Sequence, residues 1–80
     1  MKTIHLAYVA MFREKIGSSG ESIPTTAMDV TGLYDELTAR YALPWSKHSI
    51  RPAVNDRITT WETALQDQDR VLFLPPSSGG

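Results

Sequence analysis

Eighty residues, 41% of them hydrophobic and 21% charged, with a formal net charge of -1, describe one small globular domain. The scattered basic residues and near-neutral balance exclude an electrostatic nucleic-acid surface, and the lack of cysteine excludes disulfides, thiolate metal sites and side-chain thiol chemistry. A domain of this size buries only about 60% of its unfolded surface, which leaves no interior for an enclosed enzyme pocket.

The chain enters a strand pattern almost at once, without a signal-peptide core or a long apolar span, so a cytoplasmic protein with no membrane contact is expected. From Thr3 to Ala10 the residues alternate, Ile4, Leu6 and Tyr8 on one face and His5, Ala7 and Val9 on the other. Met11 to Ile16 reads as a short helical turn and Gly17-Ser18-Ser19-Gly20 as a loop. Glu21 to Thr25 is a second strand closed by Pro24. A helix is predicted from Thr31, its N-cap, to Ala42, because Leu33, Tyr34, Leu37 and Tyr41 form one stripe at helical spacing. Asp35 and Glu36 fall toward its N-terminal end and Arg40 toward the other, as the helix dipole favours, and Pro44 prevents continuation. Ser46 to Ser49 is expected to be irregular.

Ala53-Val54 and Ile58-Thr59-Thr60 flank Asn55-Asp56, a pair suited to the positive φ angles of a two-residue hairpin. Residues 65–69 form a turn-rich approach to a last strand, Val71 to Leu74. The predicted order is strand, strand, helix, strand, strand, strand. One helix covers only one face of such a sheet. Val71 and Phe73 are assigned to the covered face. Leu72 and Leu74, with Ile58 and Val9, fall on the opposite side as an apolar patch that points to a protein partner.

Sheet pairing must end by Pro75, since two prolines remove two N–H donors, and the body is expected to span 1–74 with an extended tail over 75–80. Six residues beyond Leu74 reach roughly 20 Å at about 3.3 Å each. Pro75 and Pro76 give a stiff stem and Gly79-Gly80 a tip slim enough for a narrow channel, which makes the Gly80 carboxylate a candidate reactive group. A Gly/Ser-rich end also occurs as a plain linker. Elsewhere the chemistry is sparse. His5 and His48 lack partners at ligand spacing, so no metal is expected; no Gly-x-Ser-x-Gly elbow surrounds any serine; and Gly17 to Gly20 lack the Lys-Ser/Thr of a phosphate loop. Trp45 and Trp61 suit either a partner surface or internal packing.

The elements Phe12-Arg13-Glu14-Lys15-Ile16-Gly17, Ala53-Val54-Asn55 and Val71-Leu72-Phe73-Leu74-Pro75-Pro76-Ser77-Ser78-Gly79-Gly80 resemble the sulfur-carrying small subunits of molybdopterin synthase, the MoaD/ThiS type of ubiquitin-like protein. The resemblance implies an α+β fold, a five-stranded mixed β-grasp sheet with one main helix on one face. It also implies a chemistry. A carboxylate is a poor electrophile, so an ATP-dependent, E1-like adenylating enzyme would activate Gly80, and a sulfur donor system would convert it to a thiocarboxylate, a better nucleophile needing no cysteine.

The large, catalytic subunit would receive the tail, Pro75, Pro76, Ser77, Ser78 and Gly79 setting its reach. That subunit would bind the pterin substrate, cyclic pyranopterin monophosphate, and make molybdopterin for molybdenum cofactor biosynthesis. Ile58, Leu72, Leu74 and Arg13 would form the partner interface. Two small subunits at opposite ends of a large-subunit dimer would make a heterotetramer. The chain itself would bind no cofactor and be non-catalytic alone. Two departures from the family stand out: Ser77 stands where valine is common, which would weaken a tail contact in the partner's channel, and Gln68 where a glycine commonly precedes the Asp of the final turn, which would change only the turn; neither removes the reactive end. Alternatives of the same shape are a sulfur carrier for the thiazole of thiamine, a ubiquitin-like modifier joined to lysines through Gly80, and an interaction module with an inert tail.

Overall fold

In the computed structural model, which describes residues 1–76, the first alternating segment becomes strand β1 (Lys2–Ala7). Ile4, Leu6 and the following Tyr8 are buried on one side. The strand stops short of Ala10 because the chain turns at Val9 into helix α1 (Ala10–Ile16). Gly17, at φ 83°, closes that helix, its N–H bonding to Arg13 O at 2.8 Å. Strand β2 (Gly20–Thr25) then runs back antiparallel to β1, with Gly20 opposite Ala7. A side chain at Gly20 would place its Cβ 2.6 Å from the Leu6 carbonyl oxygen, so only glycine lets the strands meet there.

Helix α2 (Val30–Tyr41) starts one residue before Thr31, and its N-cap is Asp29. The Asp29 carboxylate accepts the Gly32 N–H at 2.8 Å, while the Val30 and Thr31 N–H groups bond to Thr63 O and Trp61 O at 3.1 and 3.0 Å. These early donors have no intrahelical acceptor, and a distant loop supplies two of the acceptors, a feature absent from any local pattern. Asp35 and Glu36 lie beyond the first turn and act through side-chain partners instead of the dipole. Asp35 meets Lys47 at 2.6 Å; Glu36 meets Arg40 at 3.6 Å and accepts the Thr25 hydroxyl at 2.5 Å. The helix ends at Ala42, φ 55°, two residues before Pro44. Lys47–Ser49, expected to be irregular, is a single 3-10 turn, because the Ser46 hydroxyl accepts the His48 N–H at 3.0 Å and caps it.

Strands β3 (Arg51–Val54) and β4 (Arg57–Ile58) are joined through Asn55 and Asp56, at φ 52° and 71°, the predicted two-residue turn. Strand β5 (Arg70–Leu74) completes a sheet of order β2-β1-β5-β3-β4, in which β1 and β5 are parallel and the other neighbours antiparallel. The fold is therefore a mixed five-stranded β-grasp. The main helix α2 covers one face as expected, and the short helix α1 packs on the same side. Phe73 of β5 meets Tyr34 of α2 at 5.1 Å between ring centroids, Trp61 at 5.9 Å and Phe12 of α1 at 6.0 Å. Trp45 packs 5.0 Å from Phe12, so both tryptophans belong to internal packing. Each aromatic pair adds about 0.5–1.5 kcal/mol beyond its burial.

At the β2 edge, Glu21 lies on the covered side and one of its carboxylate oxygens, Oε2, accepts hydrogen bonds from Tyr8 (2.7 Å) and Tyr41. Burial by itself raises the Glu21 pKa, but the two hydroxyls and the nearby Arg40 outweigh it and hold the group below its ordinary 4.5. A depressed carboxyl pKa stabilises the folded state above the unfolded value, and that contribution disappears as pH falls through the folded one. Replacing Glu21 by Gln is expected to flatten the acid side of the stability profile below about pH 4.5, measured by urea unfolding at stepped pH. Gln68, at φ 72°, holds a left-handed backbone that costs a non-glycine residue roughly 1 kcal/mol. Gln68→Gly is expected to raise stability by about 0.5–1 kcal/mol in the same urea titrations at neutral pH.

Candidate docking site and tail root

The pairing registers sort the side chains into a covered and an open face. Ala7 stands opposite Leu72, Leu72 opposite Ala53 and Ala53 opposite Ile58, so one row of apolar side chains crosses four strands on the open face. Ile58 is 62% exposed, Leu72 half-buried and Ala53 buried between them. Because Ala7 and Ala53 are small, the row dips into a cavity of about 230 Å³ walled also by His5, Asp56, Arg70 and Leu72. Leu74 lies one pleat further along the same face, opposite Arg51. Ile58, Leu72 and Leu74 are thus brought together as the alternation predicted. Val9 is not, because it lies past the end of β1 and caps α1. Arg13 is exposed on α1, whose Phe12 packs against the covered face, and it lines a separate concavity with Ala10, Glu14 and Gly17.

Polar groups frame the row. His5 Nδ1 lies 2.6 Å from the Ser22 hydroxyl and Nε2 lies 2.8 Å from Gln68 Oε1, so Gln68 reaches the open face as well as shaping the turn. Arg70 pairs with Asp56 at 3.0 Å. Asn55 explains why its residue type follows Ala53-Val54. Its amide donates to Asp69 Oδ1 at 2.9 Å and its side-chain oxygen accepts the Arg70 N–H at 2.9 Å, while its own N–H bonds to Arg70 O at 2.8 Å. Asp69 in turn accepts the Gln66 N–H at 2.8 Å. The start of β5 is thereby pinned to the hairpin.

At its other end β5 keeps its register with β3 up to Leu74, and Pro75 brings no N–H to prolong it. Pro75 is half-buried and Pro76 exposed, and with His48, Ser49, Arg51 and Leu74 they line a concavity at the root of the tail. Ser77, Ser78, Gly79 and Gly80 lie outside the described residues. Among the described residues no group of three His, Asp or Glu side chains stands close enough to hold a metal ion, and no helix is long and apolar enough to cross a membrane.

Ala7 and Ala53 are site residues that composition does not announce. Ala53 is recoverable from the hairpin, since a two-residue turn at Asn55-Asp56 sets it opposite Ile58. Ala7 is not, because its place depends on a parallel pairing between distant strands.

A family model described as the ThiS family matches residues 6–80. The molybdopterin synthase sulfur carrier subunit of Escherichia coli is 29% identical over 80 residues, a match covering 96% of this chain and 99% of that protein. The putative molybdopterin converting factor subunit 1 of Pyrococcus furiosus superposes with a TM-score of 0.80 at 25% identity, covering 96% of this chain and 100% of that one. A chain from the complex of subunits 1 and 2 of the molybdopterin-converting factor of Helicobacter pylori shares the fold, with a TM-score of 0.67 at 24% identity over 98% of this chain and 99% of that one. With a match that runs through nearly the whole sequence onto the same mixed sheet, the chain belongs to the ThiS family of ubiquitin-like β-grasp proteins.

Proposed function

We propose that the protein is the sulfur carrier subunit of a molybdopterin synthase, docking through the open face of its sheet and delivering sulfur from the end of its tail. The observation that carries this reading is the continuity of β5 with the tail: the central strand leads through Leu74 into Pro75 and Pro76 beside an exposed apolar row. The likeness to the sulfur carrier subunit of Escherichia coli supports the choice of pathway.

In the proposed cycle the Gly80 carboxylate attacks the α-phosphorus of ATP on an E1-like enzyme, pyrophosphate leaves, and an acyl-adenylate remains. Sulfur at the sulfide level, supplied by the donor system, then attacks the acyl carbon and AMP leaves, giving the thiocarboxylate. On the large subunit that sulfur bonds to a carbon of cyclic pyranopterin monophosphate as a carbon–oxygen bond of the same carbon breaks, the oxygen leaving with the phosphate or as water. Water then hydrolyses the acyl–sulfur bond, leaving the sulfur on the pterin and returning Gly80 as a carboxylate, and a second such transfer completes the dithiolene. The reacting group is the terminal carboxylate, which a tail of six residues can carry as far as roughly 20 Å beyond Leu74, so the chemistry calls on no side chain of the folded body. The body supplies binding and orientation, which shorten the search of the tail for the pterin.

Intact-mass analysis after incubation with the adenylating enzyme, ATP and a sulfur source tests the chemistry. A gain equal to one oxygen replaced by sulfur is expected for the full chain and not for a form lacking Gly80. Branched conjugates through Gly80 in cells, with no such gain, would instead favour the modifier reading. Docking is tested with Ile58→Asp, which is expected to weaken binding to the large subunit by about 2 kcal/mol or more. Because Ile58 is mostly exposed, its thermal unfolding is expected to stay within about 0.5 kcal/mol of the parent chain.

A further inference from the structure

On the strands of the open face every ordinarily charged side chain is basic, in a chain whose nine acidic residues outnumber its eight basic ones; Asp56 stands at the hairpin beside this face, and Glu62 lines a groove with Arg51 and His48. By register, the charged side chains on its strands are Arg51 and Arg70, with His5 between β2 and β5; no strand position on that face carries an acidic residue. Arg70 is answered by Asp56 at 3.0 Å, and Lys47 nearby is held by Asp35 at 2.6 Å. Arg51 is exposed and makes no ion pair among the described residues. It stands opposite Leu74, in the concavity of about 480 Å³ that His48, Ser49, Pro75 and Pro76 complete at the root of the tail.

We propose that Arg51, with His48 beside it, forms a basic collar that docks a carboxylate-bearing segment on the rim of the channel into which the large subunit takes the tail. This rests on the carrier reading above. An apolar centre with a charged rim is the ordinary anatomy of a protein interface, and a rim cation is matched by an anion on the partner. A guanidinium also holds a carboxylate through two parallel hydrogen bonds, which fixes direction as well as attraction. The occupant is a protein carboxylate and not the nucleotide or the pterin phosphate, because those react at Gly80, six residues and up to roughly 20 Å beyond Leu74. Held at its base, the tail enters the channel at one angle, so Arg51 acts as a positioning residue for a reaction it never touches.

The test compares association of the full chain and of Arg51→Glu, Arg51→Gln and Lys15→Glu with the large subunit, by rapid mixing at about 50 and about 500 mM NaCl. Thermal unfolding of each variant confirms the fold. At low salt Arg51→Glu is expected to lower the association rate constant roughly tenfold, Arg51→Gln to lower it less, and the gap to close at high salt. Lys15→Glu makes the same charge change on exposed α1 and is expected to change the rate less than twofold or so. Equal rates for the parent and Arg51→Glu, or equal losses for Arg51→Glu and Lys15→Glu, would overturn the collar while leaving the carrier reading intact. No association of the parent chain would overturn both.

Discussion

The strand that becomes the tail is the one the sheet holds on both sides. β5 pairs in parallel with β1 and antiparallel with β3, its first residue is clamped by Asn55, and its Phe73 sits among the rings of Phe12, Tyr34 and Trp61. Total stability for a domain of this length is on the order of 4–12 kcal/mol, and emptying one buried phenylalanine site costs about 3–5. Much of the available stability is thus concentrated at the base of the tail, where Pro75 brings no N–H to continue the ladder.

The same strand divides the labour between the faces. On the covered side α1, α2 and the loop carrying Trp61 bring Phe12, Tyr34 and Trp61 against Phe73, while Leu6 and Val54 flank Val71 within the sheet. On the other side Leu72 has only alanines as direct neighbours in its row until Ile58. Small residues beside a leucine leave a recess, and a partner can fill a recess more completely than a flat surface. Among the described residues no buried side-chain polar atom is left without a hydrogen-bond partner; Glu21 is held by its two tyrosines on the covered side, and His5, Ser22 and Gln68 form a hydrogen-bonded chain on the open one.

The residues foretell what is local. Alternation along Ile4, Leu6 and Tyr8, the stripe from Leu33 to Tyr41 and the Asn55-Asp56 turn each express a period or a dihedral preference that needs no distant partner. What escapes is what depends on residues brought together by folding. Asp29 is intrinsically the better cap than Thr31, and its carboxylate, together with loop carbonyls at Trp61 and Thr63, sets where the helix starts. Asp35 and Glu36 look like dipole partners until Lys47, Arg40 and Thr25 are found beside them. The docking row follows the same division: Ile58, Leu72 and Leu74 are visible in the pattern, whereas Ala7 becomes a site residue only through the parallel pairing of β1 with β5.

That pairing joins the first strand of the domain to the last, His5 to Arg70 and Ala7 to Leu72. Contacts so far apart in sequence demand closure of nearly the whole chain before they reward it, and they belong to the slow end of folding. Synthesis runs from β1 toward β5, so a growing chain carries an incomplete sheet with the Phe73 site vacant until the final strand emerges. The domain therefore matures only once β5, the strand that leads into the tail, has been made. A fragment that stops before β5 lacks both Leu72 of the apolar row and the aromatic centre around Phe73, so completion of the fold and of the open face is a single event.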